Sequence, residues 1–229
     1  MTGSPAQPAP DASLAAEIIS AREQLIQRIA PAQWSEESED LNASRMGDPD
    51  ETLVWQSQNG DPAAFETLVR QHQRMIHSLA YRMTGSLADA EDLAQETFVR
   101  AHAQLPKYQG AAKFSTWLYR IAINTCLNWR QREQRRQLVH TLWASDAEAS
   151  RPEAGADHAD QTGRSERVQA ALLRLPARQR AAIVLTVYDG LNHAEAAKAL
   201  GCSETTVSWR VFAARRKLKA WLQAGPLTP

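Results

Sequence analysis

Cations gather at two places in this chain, and at both they stand among aromatic rings. Between Lys113 and Arg136 come Lys113, Arg120, Arg130, Arg132, Arg135 and Arg136 against Glu133 alone, with Phe114, Trp117 and Trp129 interspersed. Near the end, Arg210, Arg215, Arg216, Lys217 and Lys219 follow Trp209 and flank Phe212. Cations neutralise phosphates and aromatic faces stack on bases, so this pairing suits a nucleic acid. One such run is most often a solvated helix face; two, closing two helical units, point to a polyanion. A third segment has the opposite sign: Asp89, Glu91, Asp92 and Glu96 have no base among them up to Val99. Acids near a helix N-terminus complement its dipole, and they also suit a basic protein surface.

Other chemistries find little support. His72, His77 and His102 lack the spacing of a zinc site, and no glycine-rich phosphate loop or nucleophile motif is present. Cys126 and Cys202 are too few and too far apart for a disulfide framework or a cysteine-rich zinc site. The expectation is no metal, no cofactor, no catalytic residue and a reducing compartment. The chain has 229 residues, 43% hydrophobic and 23% charged, with no apolar run near the ~20 residues of a membrane span. Its first residues lack the pattern of a secretory signal, so a cytoplasmic protein without membrane insertion is expected. The net charge of zero hides segregated signs, because the acids from Glu36 to Glu51 face only Arg45.

These residues must be held by helices, since strand-like alternation is nowhere evident. Residues 1–10 are rich in Pro, Ala and Ser, and Leu14, Ile18, Leu25 and Ile29 then recur at the spacing of one amphipathic helix. The recognisable motifs begin just after Met46, which makes Met46 a candidate start of translation. Asn59-Gly60-Asp61-Pro62 reads as a turn, an N-cap Asp and a Pro at the first helical position. Thr84-Gly85-Ser86 repeats the logic, with Gly85 ending one helix and Ser86 capping the next, where Asp89 is the third residue. That helix runs to Leu105-Pro106. A loop over 106–113 leads into a long helix over 115–141 that carries Leu118, Ile121, Ala122 and Thr125 on one face. The stretch 144–166 is acidic and lacks apolar periodicity, as a flexible linker does. A second helical unit follows: 168–175, a Pro176-initiated helix to Asp189-Gly190, a short helix over 193–200, and a last helix from Glu204.

Asn192 and Glu195 form a capping box, Gly201 opens a tight turn and Ser203 caps the last helix, which together give a helix-turn-helix. At about 100° per residue, Val207, Val211, Ala214, Leu218 and Leu222 share one stripe, while Thr205, Trp209, Phe212, Ala213 and Arg216 point away.

The stretch from Leu175-Pro176 to Leu222 resembles region 4 of the sigma-70 family of RNA polymerase sigma factors. The stretches DPAAFETLVRQH and LADAEDLAQETFVRAHAQLPKYQGAAKFSTWLYRIAINTCLNWRQREQRR resemble region 2. With no recognisable region 3 or long region 1, the extracytoplasmic-function group is implied. The implied fold is all-α: an N-terminal extension (1–48), a region 2 bundle (49–141), a flexible acidic linker (142–166), a region 4 helix-turn-helix (167–224) and a tail (225–229). The resemblance implies binding to the β′ and β subunits of core polymerase, recognition of promoter DNA, and control by an anti-sigma factor. It places core binding at Asp89, Asp92, Leu93, Gln95, Glu96 and Phe98. Reading and opening of the −10 element fall to Lys113, Phe114, Arg120, Asn124, Asn128, Arg130 and Arg132. The −35 element falls to Thr205, Thr206, Ser208, Trp209, Arg210, Phe212, Ala213 and Arg216. Many relatives have an Asp where Asn128 stands, a departure that bears on the local hydrogen bonding of that helix; many have basic residues at Ser208 and Ala213 and a small residue at Trp209, which implies a different −35 sequence. Trp117 falls where the family carries a core-packing Trp. A stand-alone helix-turn-helix regulator is the rival, but it leaves the acidic helix and the 113–136 block without a task.

Overall fold

The computed structural model describes residues 50–143 and 161–223. The N-terminal amphipathic helix, the Met46 question, the acidic linker before residue 161 and the tail lie outside the described residues. Within them the chain forms α1 (Glu51–Gln58), α2 (Pro62–Thr84), α3 (Leu87–Gln104), a 3-10 turn (Leu105–Lys107) and α4 (Phe114–Trp143). The second unit comprises α5 (Gln161–Arg174), α6 (Ala177–Ile183), a π turn (Val184–Tyr188), α7 (His193–Leu200) and α8 (Glu204–Gln223). The described residues include no strand.

The punctuation lies where side-chain chemistry placed it. Asp61 accepts the Ala63 amide at 2.9 Å ahead of Pro62, Gly85 ends α2 at φ 81°, and Ser86 accepts the Asp89 amide at 3.2 Å. These caps satisfy amides that a helix start leaves without intrahelical partners. They also fix the angle between α2 and α3, which sets the direction of the acidic face. In α4 the face of Leu118, Ile121, Ala122 and Thr125 is buried, and Thr125 donates to the Ile121 carbonyl at 2.9 Å. Gln58 ties α1 to the turn before α4 by donating to the Leu105 and Tyr108 carbonyls, both at 2.9 Å.

Two features differ from the sequence reading. α5 begins at Gln161, so a helix takes up the last residues of the expected linker. The helix begun after Pro176 widens to a π turn at its end, where the Asp189 amide donates to the Val184 carbonyl at 3.0 Å. Such a bulge re-aims the side chains that follow it. Apolar periodicity alone does not reveal it.

The two units share one apolar core. Leu68, Ile76, Leu79 and Leu118 of the first belong to the same buried cluster as Leu172, Leu175, Ile183 and Leu185 of the second. α7 lies against α4, and α2 meets α5, α6 and the π turn. No helix among the described residues is long and apolar enough to cross a membrane.

Candidate nucleic-acid and polymerase interface

Helix α3 carries the acidic face. Asp92 and Gln95 are exposed, Asp89, Glu96 and Phe98 half-buried, and Leu93 lies in the core at 2% exposure. Leu93 is therefore corrected from a surface contact to a packing residue: at i, i+3 from Ala90 and i, i+4 from Thr97, both buried, it falls on the helix's inner side. Glu96 is already engaged, pairing with Arg100 one turn on and with Arg132 of α4 at 4.0 Å. The sequence reading missed Val99, which is 70% exposed. Its signal was its place seven residues after Asp92, on the face of Asp92, Gln95 and Glu96. The face is thus acidic with an apolar end, a composition suited to a basic partner surface with an apolar patch.

The loop before α4 and the helix's first turns form a groove of about 390 Å³. It is lined by Lys107, Tyr108, Thr116, Trp117, Arg120 and, from the second unit, Lys198. Arg120, Asn124 and Asn128 are exposed, and at spacings of four they continue one strip along α4. Lys113 is exposed at the start of that strip, with its Nζ 3.8 Å from Glu195 Oε1 of α7. Arg132 stands on the flank towards α3, by its contact with Glu96, and Arg130 is half-buried. Phe114 is corrected outright. It is 1% exposed, with ring centroids of His72, Trp117 and Tyr108 at 5.4, 5.5 and 6.1 Å. As the first residue of α4 it turns inward and anchors the helix. Trp117 does two things, packing on Tyr108 at 5.0 Å and forming part of the groove wall.

The helix-turn-helix is built as its caps require. The Glu195 amide donates to Asn192 Oδ1 at 2.9 Å and the Asn192 amide to Glu195 Oε2 at 3.1 Å. Gly201 turns the chain at φ 60°, and Ser203 Oγ accepts the Thr206 amide at 3.2 Å. Val207, Val211, Ala214 and Leu218 are buried and Leu222 half-buried, leaving Trp209 and Phe212 outward at 63% and 65% exposure. Thr205, Ser208 and Arg216 are exposed and Thr206 half-buried. Ser208 Oγ lies 2.8 Å from His193 Nδ1, which clamps α8 to α7. Arg210 folds back, donating to Cys202 Sγ at 3.4 Å. Ala213 is corrected from outward-facing to buried, at 9% exposure. It shares a flank with Arg210 and Lys217, both half-buried, and Lys217 is tied to Gln179 at 3.2 Å. A single methyl is too short to clear longer neighbours.

The comparisons agree on one family. The family model for sigma-70 region 2 matches residues 68–136, and that for sigma-70 region 4 matches residues 165–218. The RNA polymerase sigma-H factor of Pseudomonas aeruginosa is 33% identical over 181 residues, covering 76% of this chain and 94% of the relative. The ECF RNA polymerase sigma-E factor of Escherichia coli is 34% identical over 176 residues, covering 74% and 92%. The chain belongs to the extracytoplasmic-function group of sigma-70 factors. Among solved structures, CnrH in complex with the cytosolic domain of CnrY is similar to this sigma factor with a TM-score of 0.59 and 29% identity. The match covers 77% of this chain and 98% of CnrH. RpoE of Bartonella quintana, in complex with the anti-sigma factor NepR, shares the fold at a TM-score of 0.55 and 24% identity, over 70% and 98%. As a sigma factor, the chain is a transcription initiation factor that directs RNA polymerase to promoters.

Proposed function

We propose that three faces of this sigma factor divide the work: α3 docks on core polymerase, α4 and its loop hold the opened −10 strand, and α8 reads the −35 duplex. The carrying observation is that three surfaces of different chemistry lie on three different helices. The α3 face, with Asp92, Gln95 and Val99, suits a basic and apolar site on the β′ and β subunits. The α4 strip of Lys113, Arg120, Asn124 and Asn128 borders a groove large enough for an extruded base, with Lys107 and Arg120 for its phosphates. Extruding a base costs a few kcal/mol, which a cationic groove beside Trp117 would offset.

On α8, Trp209 and Phe212 offer apolar edges where hydrogen-bonding side chains would read donors and acceptors. Apolar side chains in the major groove select thymine methyl groups. Thr205, Ser208 and Arg216 surround the two rings, with Arg215 and Lys219 exposed further along for the phosphates. The protein itself performs no catalysis, works in the cytoplasm and needs no cofactor, since polymerase supplies the chemistry. An anti-sigma factor is the expected negative partner; the similarity to RpoE, solved with NepR, supports that reading.

Reconstitution with core polymerase and run-off transcription tests the assignment: a promoter-dependent transcript is expected, and its absence with a correctly folded protein would refute it. Trp209→Ala is expected to change which −35 sequences are selected from a randomised template pool. Affinity for core should stay within about twofold, because Trp209 is exposed on α8 and the docking face is on α3. Lost core binding in that variant would show α8 to be misassigned.

A further inference from the structure

Cations from three different elements line one groove. Lys107 of the 3-10 turn, Arg120 of α4 and Lys198 of α7 share the cavity of about 390 Å³ beside the start of α4, and all three are exposed. No carboxylate among the described residues lines it. The one acid of α7, Glu195, is engaged elsewhere: its Oε1 lies 3.8 Å from Lys113 Nζ, and its Oε2 accepts the Asn192 amide at 3.1 Å. Lys198 therefore brings to the groove a charge that its own helix does not neutralise. Beside the cations stands an aromatic wall. The half-buried Trp117 ring packs on Tyr108 with centroids 5.0 Å apart, and the Tyr108 hydroxyl donates to the Ala112 carbonyl at 2.6 Å. That bond closes the loop over 108–112 on itself, so the wall needs little ordering when a ligand arrives. Thr116, only 5% exposed, adds a hydroxyl to the lining.

We propose that this groove binds a free nucleotide carrying at least two phosphates, its base laid against Trp117 and its phosphates held by Lys107, Arg120 and Lys198. The volume fits, since small-molecule sites run from about 300 to 1,000 Å³. A ring beside clustered cations matches a base joined to phosphates, for the base stacks while ammonium and guanidinium groups take the charge. A nucleic-acid strand asks for a different arrangement. Its phosphates follow one another along a backbone, and the residues that take them form a track, as Lys113, Arg120, Asn124 and Asn128 do along α4. Lys107 and Lys198 stand off that track on other elements and meet Arg120 at a single cavity, which suits the adjacent charges of a polyphosphate. The site shares Arg120 and Trp117 with the −10 reading proposed above but does not rest on it, because Lys198 has no part there. Three cations already neutralise the phosphates, and no carboxylate among the described residues is at hand in the groove to hold a metal, so binding needs no divalent cation.

Equilibrium dialysis of the full chain against radiolabelled ADP, at fixed salt with a chelator present, tests the site. ADP should bind at one site per chain with a Kd on the order of 10 µM, a scale reached by ligands of its size. Unlabelled adenosine and inorganic pyrophosphate should each displace it only at concentrations roughly tenfold or more above those of unlabelled ADP, because each offers half of the recognition. Lys198→Ala should weaken ADP by about tenfold or more, the scale of one lost charge-assisted contact. Lys198 is exposed on a helix, where alanine is the best former, so this variant keeps its fold. Lys198→Arg should restore binding to within about threefold, since the charge is kept. Pyrophosphate that competes as well as ADP overturns the proposal, because the ring then contributes nothing. A Lys198→Ala protein that binds ADP like the unaltered chain overturns it too, as does a Kd above about 1 mM for the unaltered chain. Failure of the −10 reading shows differently: Arg120→Ala would then leave promoter opening by the complex with core unchanged while ADP binding by the free chain still fell.

Discussion

Asp92→Lys should weaken association with core polymerase by on the order of 10- to 100-fold, the cost of like charge across an interface. Asp92 is the informative position because it is exposed on α3, whereas Glu96 already pairs with Arg100 and Arg132. Reversing Glu96 therefore disturbs α3 and α4 internally as well as at the partner surface. The double variant Asp92→Lys with Glu96→Lys should bind weaker still, with part of its loss traceable to the α3–α4 contact. Titration of labelled protein with core enzyme measures both. Unchanged affinity in Asp92→Lys would remove α3 from the docking role.

Phe114→Ala should destabilise the first unit by about 3 to 5 kcal/mol, the usual cost of deleting a buried phenyl ring. The ring lies among His72, Trp117 and Tyr108 at the start of α4. A Phe that instead stacked on DNA would, when removed, lower promoter opening with little change in stability. Denaturant unfolding distinguishes the two: a midpoint shifted well down supports the packing role, and an unshifted midpoint with poor opening restores the DNA role. Trp117→Ala should do some of both, because that ring packs on Tyr108 and also lines the groove.

Local chemistry was legible in the sequence wherever one residue type has one good reason to be where it is. Asp61-Pro62, Gly85-Ser86 and the Asn192/Glu195 box each name a helix end, and all three ends are found there. The apolar stripe of α8 was equally plain, because its period is fixed by the helix. Faces were legible only to within one residue, so Ala213, on the flank of its stripe, went to the wrong side; Leu93 was placed at the docking surface by resemblance to the family, which does not weigh burial. Phe114 was misplaced for another reason: an aromatic beside a lysine suits a base as well as a core, and only its neighbours decide. The junction between the units was beyond pattern reading. Arg82, Arg180 and Asp189 are charged residues that periodicity assigns to the surface, and they are buried by contacts with residues roughly a hundred positions away, as in Arg82 with Asp189 and Arg180 with Met83. The same contacts turn an expected pair of loosely tethered units into one shared core.

This sigma factor is expected to read a promoter only when core polymerase holds its two readers, α4 and α8, at the promoter's own spacing. The most direct measurement is a fluorescence titration of promoter duplex at fixed salt, with and without core enzyme, against a scrambled duplex. Salt must be fixed because phosphate contacts make any such affinity ionic-strength dependent. The free protein should bind both duplexes weakly and alike, and the complex with core should bind the promoter at least a hundredfold tighter than the scrambled duplex. Tight, sequence-specific binding by the free protein would instead mark the chain as a regulator that acts without polymerase.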